Sequence, residues 1–181
     1  DAEKRAQEYE ENLLSLKKKK TAELEFPTKK KLYEHQKVAV NYLLKVDSAM
    51  LADDLGLGKS AVALVVSVSR KLSNQIKKTL IVCPATTKYS VWAREIEKFT
   101  DEKYLVSDGN KNKRKQIYER FLCDDYFFLV INYESLAIDL EFFRDFPEES
   151  MIIADETIYI KNHKQKSIKR LKAKNKGILN D

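Results

Sequence analysis

The sequence has few of the residues that mark secreted or membrane-spanning proteins. Its 181 residues include two cysteines, Cys83 and Cys123, too few for a disulfide framework, so a reducing intracellular compartment is expected. Four glycines and three prolines indicate a chain built mostly from regular helices and strands. The longest apolar run, AVALVVSV at residues 61–68, is far short of the roughly 20 residues that cross a bilayer. No membrane span and no secretory leader are therefore expected.

The chain is rich in charged and hydrophobic residues. The chain carries 34 Lys and Arg against 28 Asp and Glu, a net charge of +6 that permits a polyanionic partner without requiring one. Hydrophobic residues make up 43%, enough for the core of one domain. Residues 161–176 hold eight Lys or Arg and no acidic residue, a pattern that fits either a phosphate-contacting strip or a solvated helix face.

Hydrophobic periodicity predicts an alternation of strands and helices. The predicted strands are 48–52, 79–83, 103–107, 126–131, 151–155 and 177–179. The predicted helices are 34–46, 59–72, 87–99, 111–122, 135–143 and 164–173, with a further N-terminal helix over 2–19 and a charged linker over 21–32. This alternation predicts an α/β fold in which helices cover both faces of a parallel sheet.

A glycine loop follows the first predicted strand. Gly56-Leu57-Gly58-Lys59-Ser60 leads directly into a predicted helix. Glycines let backbone N–H groups converge on a phosphate, the helix N-terminus favours negative charge, and a lysine and a hydroxyl meet the phosphates and Mg²⁺. The full phosphate-loop pattern has glycine where Asp53 stands. The alternative is a tight strand–helix turn with a chance lysine.

Two carboxylates end the strand MIIAD. Asp155 and Glu156 would lie at the carboxyl edge of a parallel sheet, which is where ligands bind. Asp155 there can hold Mg²⁺, and Glu156 can orient or deprotonate an attacking water. The alternative is an ordinary acidic strand end at the surface.

These motifs, in this order, resemble the first RecA-like lobe of a superfamily-two helicase-like ATPase, most like the Swi/Snf-type remodelling motors. That family's loop reads Asp-Glu-x-Gly-x-Gly-Lys-Thr, so an aspartate at position 53 is the normal residue there. The resemblance covers about residues 32–181 and includes LYEHQKVAVNYLL, LIVCPATTKYSVWAREIEKF, LVINYESL and DETIYIKN. The matching residues in these segments are Gln36, Pro84, Trp92, Glu95, Tyr133, Glu134, Asp155, Glu156, Lys161 and Asn162.

The resemblance implies ATP-driven translocation on double-stranded DNA, with ATP and Mg²⁺ as cofactors. It implies that Gln36, on the helix 34–46, reads adenine, whereas the pattern alone also fits a surface polar residue. The implied nucleotide-binding residues after it are Asp54, Leu55, Gly56, Leu57, Gly58, Lys59 and Ser60. Lys59, Asp155 and Glu156 are the implied catalytic residues, and Ser60 and Asp155 the implied Mg²⁺ ligands, Asp155 through water.

Several positions depart from the family pattern. Thr157-Ile158 replace an Ala-His pair that links hydrolysis to the DNA-binding side, and Ile131-Asn132 replace two threonines that face nucleic acid.

Thr86, Thr87 and Lys88 follow the second strand and are candidates for a DNA phosphate contact. Trp92 is more often a core anchor than a stacking platform, and a core position is expected.

The expected organisation is an N-terminal helix and linker over 1–31 and a first RecA-like lobe over 32–181. The chain does not begin with Met, and the family's next motif, Thr-Gly-Thr-Pro, would follow KNKGILND. We therefore expect a second lobe with arginine fingers elsewhere in a longer chain, and near inactivity of this segment without it. The alternatives are a degenerate nucleotide-binding scaffold or another phosphate-loop NTPase, although Asn110-Lys111-Asn112-Lys113 lacks the aspartate of a guanine reader.

Overall fold

The computed structural model describes residues 25–51, 57–143 and 146–155 with their side chains, and the backbone of residues 176–180. The strands are β1 Ser48–Leu51, β2 Lys78–Cys83, β3 Tyr104–Val106, β4 Phe128–Asn132, β5 Ser150–Ala154 and β6 Lys176–Asn180. They form one sheet in the order β1-β6-β5-β2-β4-β3, and every neighbouring pair is parallel. All six predicted strands are confirmed.

The helices connect the strands in the predicted order. They are α1 Glu34–Leu43, α2 Lys59–Leu72, α3 Arg94–Phe99, α4 Lys111–Cys123 and α5 Tyr133–Ile138. The helix predicted over 87–99 begins as a π-helical segment, Lys88–Ala93, which runs directly into α3. The helix predicted over 135–143 is divided at Asp139 into α5 and a 3₁₀ turn, Leu140–Phe143. The helices predicted over 2–19 and 164–173 lie outside the described residues.

The two faces of the sheet carry separate halves of the core, as the predicted two-sided covering requires. In β2, Ile81 and Cys83 pack with α1, α2 and Trp92, whereas Leu80 and Val82 pack on the other face with α4 and α5. This alternation follows from the period of two along a strand, and it accounts for runs that are apolar throughout. Within the described part of the chain, no helix combines the length and apolarity that a bilayer crossing requires.

Candidate functional site

The carboxyl ends of the parallel strands meet at one edge of the sheet, beside a cleft of about 1110 Å³. The loop after β1, the segment after β2 and the residue after β5 all reach this cleft. The predicted site residues that line it are Gln36, Gly58, Lys59, Ser60 and Asp155. The structure thus brings together residues that lie up to 119 positions apart in the sequence, from 36 to 155.

Gly58 is the N-terminal cap of α2 and adopts a left-handed conformation, with φ of 75°. A side chain is strained there, because L-residues other than glycine rarely hold such a φ. Space is lacking as well, since a Cβ atom on Gly58 would lie 2.3 Å from Gln36 Nε2. The turn therefore favours glycine at position 58, and any larger residue would also have to displace the Gln36 amide.

Gln36 joins α1 to the loop that precedes α2. Its Nε2 donates a hydrogen bond to the Leu57 carbonyl at 3.2 Å, and its Oε1 accepts one from the Tyr33 backbone N–H at 3.0 Å. The residue is only 6% exposed, so the alternative of a surface polar residue is wrong. Both ends of the amide already have partners within the chain, which fixes the side chain at the wall of the cleft.

Lys59 and Ser60 form the first turn of α2 and are half-buried at the cleft. The backbone N–H groups of such a first turn have no partner within the helix, and the helix dipole places partial positive charge there. Basic side chains at the cleft outnumber acidic ones, with Lys30, Lys31, Lys59, Arg94 and Lys98 against Glu95, Glu97 and Asp155. The electrostatic environment favours an anionic ligand such as a phosphate.

Asp155 is held at the end of β5 by contacts from three directions. Its backbone N–H donates to the Val82 carbonyl at 2.9 Å, and its backbone carbonyl accepts a hydrogen bond from the Tyr133 hydroxyl. Its side-chain Oδ2 accepts a hydrogen bond from Trp92 Nε1 at 2.8 Å. The carboxylate is therefore fixed in the same cleft as Lys59 and Ser60.

Trp92 combines the predicted core position with a polar contact that the sequence analysis missed. The residue is fully buried and packs in the core, as expected. A buried indole N–H needs an acceptor, and a tryptophan that follows a strand next to the MIIAD strand has Asp155 within reach. The need for an acceptor was the available signal, but the identity of the acceptor follows from the pairing of β2 with β5, which the sequence alone does not show.

The structure places the residues considered in connection with DNA binding in different environments. Ile131 is fully buried in the core and cannot contact nucleic acid in this conformation. Asn132 donates a hydrogen bond to Glu134 Oε2 at 2.8 Å and is 9% exposed. Lys88 is also buried, and its Nζ donates to the Ser107 carbonyl at 2.8 Å, so its candidacy as a phosphate contact is wrong for this structure. Thr86 remains at the surface.

Some predicted site residues lie outside the described residues. They are Asp54, Leu55, Gly56 and Glu156, together with Thr157, Ile158, Lys161, Asn162 and the basic strip 161–176. Leu57 is described, and its carbonyl accepts the hydrogen bond from Gln36.

The chemistry of the described donors fits Mg²⁺ rather than a metal that needs a dense protein cage. Ser60 and Asp155 supply hard oxygen donors in one cleft, and Mg²⁺ is usually held by one or two such groups with waters and substrate phosphates. The described part of the chain contains no group of three or more His, Cys, Asp or Glu side chains suited to a metal ion.

The chain is similar to several known proteins. The family model for the SNF2-related domain matches residues 35–179. Human chromodomain-helicase-DNA-binding protein 7 is 28% identical over 171 residues, which cover 86% of this chain and 6% of that protein. The chromatin-remodeling ATPase INO80 of Candida albicans is 30% identical over 165 residues, which cover 82% of this chain and 12% of that protein.

Solved structures show the same fold. The SWI2/SNF2 ATPase core of Sulfolobus solfataricus in complex with double-stranded DNA superposes with a TM-score of 0.73 at 24% identity. The match covers 86% of this chain and 32% of that chain, and it confirms the predicted RecA-like fold. The chain therefore spans 12% or less of the length of the two curated relatives named above, and a third of the solved one. With a family model that matches 145 consecutive residues, from 35 to 179, the chain belongs to the SNF2-related domain family.

Proposed function

We propose that the chain is the ATP-binding lobe of a DNA-dependent ATPase that hydrolyses ATP to move on duplex DNA. The observation that carries this proposal is the convergence of Gln36, Gly58, Lys59, Ser60 and Asp155 on one cleft at the carboxyl edge of the sheet. Membership of the SNF2-related domain family supports it over another class of phosphate-loop NTPase. The presence of the lysine, hydroxyl and carboxylates supports an active site over a degenerate scaffold.

Each side chain has a distinct role in the proposed reaction. Lys59 neutralises charge on the β- and γ-phosphates, while the N–H groups of the first turn of α2 cradle them. Ser60 and Asp155 would hold Mg²⁺, Asp155 through water, and the bound ion would neutralise charge that develops on the transferring phosphoryl group. Glu156, the next residue in the chain, orients or deprotonates the attacking water. Gln36 defines the adenine end of the cleft.

The proposed partners are double-stranded DNA and a second RecA-like lobe of the same full-length chain. The net charge of +6 supports a polyanionic partner, and the solved relative from Sulfolobus solfataricus is itself in complex with double-stranded DNA. We place the lobe at residues 32–181, after an N-terminal segment over 1–31, and we propose an intracellular location.

The substitution Lys59→Ala tests the ATP site. Loss of the ammonium group is expected to weaken Mg²⁺–ATP binding about 10–100-fold, because hydrogen bonds to charged groups contribute about 1.5–3 kcal/mol. A titration with a fluorescent ATP analogue measures the change. Lys103→Ala is the matched control, because this exposed lysine pairs with Asp125 and does not line the cleft. Equal affinity in wild type and Lys59→Ala would overturn the assignment.

Substitution of Gly58 tests the geometry of the loop. Gly58→Ala is expected to weaken nucleotide binding, because the new Cβ would displace the Gln36 amide from its contact with Leu57. Gly109→Ala provides a control with the same backbone strain, since Gly109 has φ of 85° and its Cβ would meet only the flexible Lys113 side chain. Both variants should lose about 1–2 kcal/mol of stability from the left-handed backbone.

Thermal denaturation and nucleotide titration separate the two effects. The expected result is a similar loss of stability in both glycine variants, with weaker nucleotide binding in Gly58→Ala alone. Wild-type nucleotide affinity in Gly58→Ala would show that the Gln36–Leu57 contact is not needed by the site.

A further inference from the structure

The contact between Trp92 and Asp155 is a well-formed hydrogen bond between two distant parts of the chain. The indole ring is fully buried, and its Nε1–H donates to Asp155 Oδ2 at 2.8 Å across 63 positions of sequence. Removal of either partner would leave the other polar group without this hydrogen bond in a partly buried environment, which is unfavourable.

The bond also restricts the one degree of freedom that matters for a metal ligand. The backbone of Asp155 is already fixed by Val82 and by the Tyr133 hydroxyl, so only rotation of the side chain can move the carboxylate. The indole N–H fixes that rotation. One carboxylate oxygen accepts the Trp92 bond, and the group as a whole stays at the cleft beside Lys59 and Ser60.

We propose that Trp92 is a positioning residue that holds the Asp155 carboxylate in the orientation needed to bind Mg²⁺ with the nucleotide. The assignment of Mg²⁺ and a nucleotide to this cleft rests on the proposed function, whereas the indole–carboxylate contact does not. Hydrogen-bond partners of metal-binding carboxylates are known to set ligand orientation, and their removal commonly costs 10–100-fold in metal affinity or activity.

The local backbone supports a role beyond packing. Trp92 lies in the π-helical segment Lys88–Ala93. Segments of this kind are rare and are frequent at functional sites, because the extra residue in the turn redirects side chains. An α-helical turn here would alter the direction in which the indole leaves the backbone. A phenylalanine, which has no N–H, would satisfy the packing requirement at this position.

The first test uses the fact that Trp92 is the only tryptophan in the chain. A proton–nitrogen correlation spectrum of the labelled 181-residue chain therefore contains one indole N–H signal. We expect this signal to shift on addition of Mg²⁺–ADP and to move already in the apo form of Asp155→Ala. A core anchor with no link to the site would give a signal that neither change affects, and that result would overturn the proposal.

The second test measures the Mg²⁺ requirement of nucleotide binding. Trp92→Phe keeps an aromatic ring and removes the donor, so the Mg²⁺ concentration for half-maximal binding of a fluorescent ADP analogue should rise about tenfold. Phe121→Leu is the control, because Phe121 is fully buried on the opposite face of the sheet and does not line the cleft. It should lower thermal stability and leave the Mg²⁺ requirement unchanged.

The outcomes separate this inference from the proposed function. An unchanged Mg²⁺ requirement in Trp92→Phe, with binding lost in Lys59→Ala, would overturn the positioning role alone. Binding that survives Lys59→Ala would overturn the ATP assignment, while the indole signal in Asp155→Ala would still test the contact. Should Trp92→Phe fail to fold, the response of the wild-type indole signal to Mg²⁺–ADP decides the question.

Discussion

In the full-length protein, Glu156→Gln is expected to lower ATP turnover by about 10²–10⁴-fold and to leave nucleotide binding unchanged. The substitution keeps the size of the side chain and removes both its charge and its ability to accept a proton. Glu156 follows Asp155 directly, and Asp155 is fixed at the cleft by Trp92 and Val82. A water held near the phosphates would therefore lose its base without loss of the groups that bind ATP.

Steady-state turnover at saturating ATP and duplex DNA, beside a nucleotide titration, measures this effect. Glu148→Gln is the matched control, because Glu148 is an exposed glutamate just before β5, at the other end of the same strand. It should turn over at the wild-type rate. Full activity in Glu156→Gln would assign the base to another residue, and weak nucleotide binding would assign Glu156 to the binding step.

The central strands were predictable because β2, β4 and β5 are buried along almost their whole length, whereas β1 and β3 are only partly buried. LIVC in β2 and FLVI in β4 are apolar throughout, and runs this short, separated by turn residues, predict buried strands of a parallel sheet. The order of the strands was not predictable in this way. β6 lies between β1 and β5, although more than 120 residues separate it from β1, and no local pattern encodes that pairing.

The candidate site also combines residues that the sequence predicts with contacts that it does not. Gly58, Lys59 and Ser60 could be predicted as site residues from a short motif, because they are consecutive in the sequence and lie at a helix N-terminus. The contacts of Gln36 with Leu57 and of Trp92 with Asp155 span 21 and 63 positions, so they depend on how the elements pack. The burial of Lys88, a candidate phosphate contact, was not predictable for the same reason, because the Ser107 carbonyl that it contacts lies 19 residues away.

The 181-residue chain alone is expected to hydrolyse ATP about 10³–10⁵-fold more slowly than the full-length protein on duplex DNA, the factor that an arginine finger supplies. Phosphoryl transfer spreads negative charge over the γ-phosphate, and an arginine that meets this charge accelerates the step. In the proposed function those arginines come from the second lobe, and DNA stimulates hydrolysis by closing the two lobes around ATP.

The arginines of the described residues support this division. Arg70 is 2% exposed and donates to the Leu43 carbonyl at 2.9 Å, and Arg120 donates to the Tyr126 hydroxyl at 2.6 Å. Arg114 donates to both carboxylate oxygens of buried Asp139, at 2.6 and 3.0 Å, and these hydrogen bonds raise the pKa of the guanidinium. Of the four described arginines, Arg94 alone lines the cleft.

Arg94→Ala therefore provides the decisive comparison. Turnover of residues 1–181 and of the full-length protein is measured at saturating ATP, with and without duplex DNA, in the wild type and in this variant. We expect the short chain to be slow and barely stimulated by DNA, and we expect Arg94→Ala to lower the full-length rate less than tenfold. A short chain that turns over at the full-length rate would overturn the two-lobe mechanism. If Arg94→Ala then abolished turnover by the short chain, Arg94 would be identified as a finger within this lobe. The other described arginines are held by partners outside the cleft.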